Sequence, residues 1–294
     1  MKIIMCQPAI PRFQWEVDTA ITSIRALTET PIVLLFISYD QSVIDHFKGR
    51  YTNLEIHGYP DGRPNQTYPA TTRPYLMAQY LAEDSSREKE TYFQIDCDVI
   101  FREWPDFDTM KLNDTKRLYG SDCGGYIDYD YLITRRMGPQ IICEFANKLG
   151  TTEELIKATP GAGAQWVYTN PTAELWGKIW ADCDVLYTYL QPLDSNIQKW
   201  TAEMWSQLYN FAEAGWKVEI HPELDFCRPT DPIAMWEQTK ILHNAGVIGE
   251  GAAGLLYKGK YTDISPFHEN LDWVRRDKAG RKYADAVDKA AGKR

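Results

Sequence analysis

The sequence predicts a single α/β domain in which a mixed, mostly parallel β-sheet is flanked by helices. Strand-like and helix-like stretches alternate over the first hundred residues, which is typical of βαβ units. One strand-like stretch, Ile32–Ile37, is apolar throughout and rich in β-branched residues, as expected of a strand buried on both faces. A length of 294 residues with 44% hydrophobic content is enough to bury one large core.

The individual elements follow from periodicity and from turn residues. Apolar residues at near-helical spacing predict the first helix over residues 14–28. Residues 58–74, rich in Pro, Asn, Thr and Gly, predict a loop, and Pro74 then opens a helix to residue 83. The remaining predicted elements are strands over residues 2–6, 53–57, 91–95, 117–120 and 165–169, and helices over residues 41–48, 139–149, 171–180 and 201–214.

Composition and charge exclude several classes of protein. A net charge of −9 argues against a general nucleic-acid coat protein. No apolar run approaches the roughly 18 residues of a membrane span, and the first residues lack the apolar core of a signal peptide. The six cysteines are widely spaced and include no Cys-x-x-Cys pair, which favours reduced thiols and a cytoplasmic location without membrane contact.

The last twenty residues differ in charge from the rest of the chain. Residues 275–294 carry eight Lys/Arg and three Asp, a balance of +5 that leaves −14 for residues 1–274. This contrast predicts a main domain over residues 1–274 followed by a basic helical tail over residues 275–294. The tail is interpreted either as a solvated terminal helix or as a surface that faces the acceptor substrate.

The motif with the clearest chemistry is the pair Asp96 and Asp98, which follows the strand predicted over residues 91–95. Residues two apart on an extended chain point to the same side, and ligands of α/β sheets gather at the carboxyl ends of strands. Two carboxylates placed in this way suit Mg²⁺ or Mn²⁺, hard cations that keep coordination positions for phosphate oxygens. The pair therefore predicts a metal site that would serve a diphosphate.

Around this pair the chain resembles the glycogenin-like, family-eight type of GT-A glycosyltransferase over roughly residues 1–267. The helix upstream carries Arg73 in TTRPYLM, and Asp122 follows in YGSDCGG. The later landmarks, in the family's order, are Gly163 in GAGAQWVYTN, Glu203 in WTAEMWSQLYNF, the turn IHPELDF, and His243 with Gly246 in KILHNAGV.

The resemblance implies a role for most of these positions. Asp98 and His243 would bind the metal, and Asp96 would bind the metal or the donor ribose. Arg73, Gly163 and a lysine of YKGKY would contact the donor, with Lys258 and Lys260 both open, while Asp122 would face the donor sugar. Four polar or turn-forming residues at strand ends are further candidates to touch the donor base or ribose, namely Gln7, Pro8, Ser38 and Asp40.

Glu203 marks a departure from the family. The usual Asp-Gln pair is Glu203-Met204 in this chain, so the glutamine near the anomeric carbon is missing. Retention of anomeric configuration is what the resemblance implies. Glu203 could instead act as a general base in an inverting reaction, contact the sugar, or complement the helix dipole.

The predicted function is therefore transfer of a sugar from a nucleotide-diphosphate donor, UDP by the resemblance, to a hydroxyl acceptor. The chain also resembles phage-encoded enzymes that glycosylate hydroxymethylated pyrimidines in DNA, which would place it in the host cytoplasm. A protein or saccharide acceptor stays open. A nucleotidyltransferase fits less well, because CQPAIPRF after the first strand is not a Gly-rich basic loop. A non-catalytic sugar-binding protein would have little need for a metal-diphosphate site.

Overall fold

A seven-stranded sheet forms the centre of the protein in a computed structural model that describes residues 1–114, 116–247 and 253–293. The described strands are β1 (Lys2–Pro8), β2 (Ile32–Ile37), β3 (Leu54–Tyr59), β4 (Thr91–Gln94), β5 (Val99–Phe101), β6 (Arg117–Asp122), β7 (Ala162–Thr169), β8 (Lys217–Ile220), β9 (Phe226–Cys227) and β10 (Ile241–His243). The large sheet has the order β3-β2-β1-β4-β7-β6-β8, and β5-β10-β9 form a second, smaller sheet. In the large sheet β7 runs antiparallel to both neighbours, and the other adjacent pairs are parallel.

Helices pack on both faces of the large sheet. They are α1 (Pro11–Arg25), α2 (Gln41–Arg50), α3 (Thr72–Glu83), α4 (Gly124–Ile127), α5 (Tyr129–Ile133), α6 (Gly138–Leu149), α7 (Glu153–Ala158), α8 (Ala173–Leu190), α9 (Ala202–Glu213), α10 (Ile233–Trp236) and α11 (Gly280–Ala290). Alternate residues of β1 enter two different cores: Ile4 packs with residues of α3, α6, α8 and α9, whereas Ile3 and Met5 pack with those of α1 and α2. The predicted α/β class with a mostly parallel, helix-flanked sheet is confirmed.

Most predicted elements are present with shifted ends. Strand β2 is buried along its whole length, as its apolar sequence predicts. Helix α8 continues to Leu190 rather than ending at residue 180, because Cys183, Leu186 and Leu190 extend its buried face. Strands β5, β9 and β10 have two or three residues each, which is too short for a periodicity to show in the sequence.

The basic C-terminal segment forms a helix that belongs to a core. Tyr283, Ala284 and Val287 of α11 are buried in a cluster that includes Trp15 of α1 and Leu242 of β10. Three of its cations form ion pairs within the segment, since Arg275 contacts Asp277, Arg281 contacts Asp285 and Lys293 contacts Asp288. Arg294, the last residue of the predicted tail, lies outside the described residues. Residues 280–290 of the segment are helical, and one face of this helix is packed against α1 and β10.

The sheet topology brings the chemically interesting residues to one edge. Strands β1, β4 and β6 are mutually parallel, so their carboxyl ends and the residues that follow lie on the same side. The reversed strand β7 places its first residues, including Gly163, at that side as well. Strand β10 pairs antiparallel with β5, so that His243 lies opposite Val99, the residue after Asp98.

Candidate metal centre

Asp96, Asp98 and His243 converge at this edge of the sheet. Each offers one ligand atom, and the three atoms lie within 4.8 Å of one another. His243 Nε2 is 3.3 Å from Asp96 Oδ2 and 3.2 Å from Asp98 Oδ1. The side chain of Asp98 is 4% exposed, that of His243 10% and that of Asp96 32%, so the cluster opens towards solvent on the Asp96 side.

Backbone pairing holds this arrangement in place. The two aspartates occupy the short connection between β4 and β5, and His243 is the last residue of β10. The backbone amide of Asn244 donates to the carbonyl of Asp98 at 2.8 Å, which continues the β5–β10 ladder past the histidine. Gly246 then turns the chain with a φ of 78°, a conformation that glycine adopts without steric cost.

Two cations flank the acidic residues. Lys258 forms an ion pair with Asp98. Arg73 forms an ion pair with Asp96 and also contacts Glu203, with Nη1 at 3.3 Å from Oε1. We refer to Asp98, His243 and Lys258 as the Asp98 group, and to Glu203, Arg73 and Tyr68 as the Glu203 group. Asp96 touches both groups, through His243 on one side and Arg73 on the other.

The electrostatics of the Asp98 group stabilise charge. Burial raises the pKa of Asp98, but Lys258 and His243 outweigh burial and hold this pKa below its usual range. Burial lowers the pKa of His243, but the two aspartates raise it to about 9. The pKa of Lys258 also lies above its usual value, because Asp98 outweighs the cost of burial. Asp98 is therefore ionised and in close contact with positive charge.

The Glu203 group is built on two helix starts. Glu203 lies in the first turn of α9, and its backbone amide donates to the hydroxyl of Tyr68 at 3.0 Å. Arg73 lies in the first turn of α3. Burial raises the pKa of the Glu203 carboxyl, and Arg73 only partly offsets this. The carboxyl of Glu203 thus binds a proton more readily than an exposed glutamate does.

A buried carboxylate near the candidate metal centre, that of Glu16, is not among the site residues that the sequence predicts. Glu16 of α1 is 1% exposed, pairs with Arg12 at 3.1 Å and accepts from the thiol of Cys97 at 3.4 Å. Burial raises its pKa, and Lys258 and Asp98 are its next strongest influences. The sequence offered one signal for Glu16, namely an acidic residue beside the apolar residues of the helix predicted over residues 14–28.

Gln165 is a second residue that the motif analysis missed. Its Nε2 lies 3.5 Å from His243 Nδ1, and its Oε1 accepts from the Ser121 hydroxyl at 2.5 Å. Ala164 has a φ of 57°, and the β6–β7 register shifts beside it, so a bulge turns Gln165 towards the histidine. Groups that hold the second nitrogen of a metal-binding histidine fix its orientation and tautomer.

The strand-end candidates for donor contact lie along the same edge. Gln7 is 2% exposed, and neither polar atom of its side-chain amide has a hydrogen-bond partner among the described residues. It is followed by Pro8, the last residue of β1. Ser38 is exposed just after β2, and Asp40 caps α2 by accepting from the Ser42 amide at 2.9 Å. Capping of the helix is by itself a sufficient reason for an aspartate at position 40. For Gln7, Pro8, Ser38 and Asp40, contact with the donor stays a prediction.

Three further candidates lie apart from the cluster or have other neighbours. Asp122 is exposed, and its carboxylate accepts from the Gly124 amide at 3.0 Å. A Cβ on Gly163 would come within 2.4 Å of the Met204 methyl group, so a larger residue there would have to displace the end of that side chain. Lys260 is exposed, whereas Lys258 two residues earlier reaches Asp98. The contacts of Asp122 and Gly163 with a sugar stay predictions.

The six cysteines are free thiols. Among the residues that the structure describes, no helix combines the length and the apolar character that a membrane crossing needs.

Comparisons with known proteins give no family assignment. No family model matches the sequence, and no curated protein matches it either. Among solved structures, the galactosyltransferase LgtC in complex with donor and acceptor sugar analogs is 13% identical, with 100% of both chains covered and a TM-score of 0.49. The bifunctional glycosyltransferase WbbM is 10% identical over 97% of this chain and 51% of its own, with a TM-score of 0.48.

Mouse xyloside xylosyltransferase 1 is a third similar structure. It is 10% identical, with 83% of this chain and 97% of that chain covered and a TM-score of 0.44. At these identities and TM-scores the likeness decides nothing about function, which depends on the residues of the site.

Proposed function

We propose that the protein is a metal-dependent glycosyltransferase of the GT-A type that uses a nucleotide-diphosphate sugar, with UDP as the expected nucleotide. The observation that carries this proposal is the convergence of Asp96, Asp98 and His243, with Lys258 and Arg73 beside them. A site that combines hard ligands with flanking cations suits a metal ion together with the diphosphate of such a donor.

The residues of the centre fit Mn²⁺ or Mg²⁺. Two carboxylate oxygens and one imidazole nitrogen lie close enough to share one ion, and Mn²⁺ accepts both kinds of ligand. When bound, the ion would supply Lewis-acid stabilisation of the charge that develops on the departing diphosphate. The chain would hold the three ligand atoms at the β4–β5 connection and at the end of β10. Gln165 would orient the imidazole of His243.

The cations would act on the phosphates. Lys258 and Arg73 are paired with Asp98 and Asp96, so a metal that neutralises these carboxylates leaves both side chains able to turn to phosphate oxygens. Arginine and lysine are the usual protein partners of phosphate. Gln7 offers an unsatisfied amide at the end of β1 for the base or ribose, since a buried amide without a partner is costly.

Glu203 is the candidate to act on the sugar or the acceptor hydroxyl. A carboxylate whose pKa is raised by burial can take a proton from an attacking hydroxyl, which would give an inverting reaction. Through Arg73 the same carboxylate could instead position the donor in a retaining reaction. Asp122 is a second candidate for contact with the sugar.

The acceptor would be a hydroxyl group, and the class of molecule that carries this hydroxyl is considered separately. The hydroxymethylated pyrimidine of DNA was favoured by the basic segment 275–294. In the structure the cations Arg275, Arg281 and Lys293 of that segment have acidic partners, and one face of α11 is buried. These pairs and the buried face leave fewer cations free to contact a DNA backbone than the sequence alone suggests, which favours a saccharide or protein acceptor.

The decisive experiment is a thermal-shift screen of UDP-, GDP- and TDP-sugars with and without Mn²⁺. A ligand that binds only the folded state stabilises it by about 2.7 kcal/mol at a hundredfold excess over its Kd, which is a shift of a few degrees for a domain of this size. We expect one nucleotide class to raise Tm only when Mn²⁺ is present. Asp98→Ala should abolish that shift, while Asp45→Ala, which changes an exposed aspartate on α2, should keep it.

The opposite result would redirect the interpretation. If no nucleotide sugar gives a metal-dependent shift in the wild-type protein, the donor site does not exist. Sugar binding without any metal-dependent shift would then identify a non-catalytic sugar-binding protein.

A further inference from the structure

An exposed tryptophan lies close to the Glu203 group. Trp200 is 63% exposed, compared with 51% for Tyr39 and 47% for Trp273, the other large aromatic side chains that are strongly exposed in the described residues. A single exposed aromatic residue is ordinary on a protein surface. The surroundings of the ring decide whether it has a function.

Trp200 is held firmly although its ring is open to solvent. Its carbonyl accepts a hydrogen bond from the Tyr68 hydroxyl. The Tyr68 ring meets the indole edge-on, at 6.4 Å between centroids and 86° between planes, and it stacks on Tyr187 at 3.7 Å. These contacts fix the backbone of Trp200 and support one side of its indole, which lowers the conformational entropy that binding to the ring would cost.

The same tyrosine connects the indole to the candidate catalytic residue. The Tyr68 hydroxyl, which donates to Trp200, also accepts from the backbone amide of Glu203 at 3.0 Å. Trp200 precedes Glu203 by three residues, about one turn of helix, and the Glu203 carboxylate contacts Arg73, which pairs with Asp96. An exposed aromatic surface thus begins within one turn of the site.

We propose, on the basis of the glycosyltransferase function proposed above, that Trp200 is a platform for a pyranose ring of a saccharide acceptor. The axial C–H groups of a pyranose carry partial positive charge and lie flat on an aromatic face, which is electron-rich. A ring stacked on Trp200 would direct the neighbouring hydroxyl towards Glu203 and the anomeric carbon of the donor.

Local charge favours a saccharide over a nucleic acid. A nucleobase also stacks on an indole, but nucleic-acid binding requires free cations for the phosphates. The ammonium group of Lys199, beside the indole, is bound by the carbonyls of Gln191 and Leu193 at 2.9 and 2.6 Å. Arg136, whose backbone contacts the loop that leads to Trp200, pairs with Asp194.

The test measures acceptor-side and donor-side binding separately in three variants. Trp200→Ala removes the platform, Trp200→Phe keeps an aromatic face, and Trp273→Ala is a control at another exposed tryptophan. Saturation-transfer NMR, with UDP and the diamagnetic ion Mg²⁺ present, gives the affinity of methyl glucopyranosides, methyl galactopyranosides and lactose. A parallel titration uses a DNA oligonucleotide that contains hydroxymethylcytosine.

We expect Trp200→Ala to weaken glycoside binding about tenfold, Trp200→Phe to weaken it less, and Trp273→Ala to leave it within about twofold. Equal affinity in Trp200→Ala, the absence of glycoside binding to the wild-type protein, or Trp200-dependent binding of the oligonucleotide alone would each overturn the platform. The metal-dependent thermal shift with a nucleotide sugar should persist in all three variants. Loss of that shift in the wild-type protein would instead count against the proposed function.

Discussion

The Asp98 group and the Glu203 group each combine a buried carboxyl group with a cationic side chain near the same sheet edge. The pKa values of the two carboxyl groups are nevertheless shifted in opposite directions. Asp98 has two cationic partners, Lys258 and His243, and its pKa is lowered. Among the residues that the structure describes, Glu203 pairs with one cation, Arg73, which it shares with Asp96, and its pKa is raised because burial dominates. Both carboxyl groups are buried, so the number of close cations decides whether the pKa of each is lowered or raised.

The two groups also differ in the elements that hold them. Asp98 and its partner His243 lie at strand ends fixed by the β5–β10 ladder, and Lys258 reaches Asp98 from a short 3-10 helix later in the chain. Glu203 and Arg73 come from the first turns of α9 and α3. Under the proposed function, the Asp98 group would hold the metal and the Glu203 group would act on the sugar and the acceptor. Acid–base roles are commonly separated in this way, by environments that push two pKa values apart.

The strongest test of this division changes Glu203 without changing its shape. Glu203→Gln should lower kcat about a hundredfold, because proton transfer by a positioned carboxylate typically contributes a factor of that order or more. The affinity for Mn²⁺, measured by EPR, should stay within about twofold, since Glu203 lies outside the Asp98 group. Unchanged turnover with intact donor binding would remove Glu203 as the base and leave a structural or sugar-binding role.

A smaller effect is expected at Gln165, which contacts the Asp98 group. Gln165→Leu should raise the Kd for Mn²⁺ by about tenfold or more, because partners of the second imidazole nitrogen typically contribute 10- to 100-fold to metal affinity. Gln198→Leu, the same change at an exposed glutamine in the loop before α9, is the control and should leave the Kd unchanged. An unaltered Kd in Gln165→Leu would mean that the β7 bulge does not serve the metal.

The smallest expected effect is a pH dependence of stability in the metal-free protein. The folded-state pKa of His243 is raised to about 9 from an ordinary value near 6.5. Its pairing with the aspartates therefore contributes stability that is complete below about pH 6.5 and is lost as the pH rises through about 9. Between pH 6 and 9, Tm should fall a few degrees further in the wild-type protein than in His243→Gln. Parallel curves would show that the imidazole is not charged in the folded state.

The sequence predicts the strands and aspartates that position the site better than it predicts the buried residues around them. The alternation of strands and helices and the strand before Asp96 determine the edge at which ligands gather, so the position of the aspartates was predictable. His243 was predictable only from a resemblance, because β10 has three residues and no periodicity of its own. Glu16 and Gln165 were missed because their roles depend on burial beside residues distant in sequence. The choice of Lys258 over Lys260 likewise required the fold.

One consequence of the β5–β10 pairing concerns the order of folding. Lys258 and Asp98 are separated by 160 positions in the chain, and His243 reaches the aspartates only after β10 has paired with β5. Closing so long a loop is entropically costly and slow compared with local helix formation. We therefore expect the candidate metal centre to be among the last parts of the protein to form. A partly folded chain would bind no ion, and release of the ion would report early loosening of the native state.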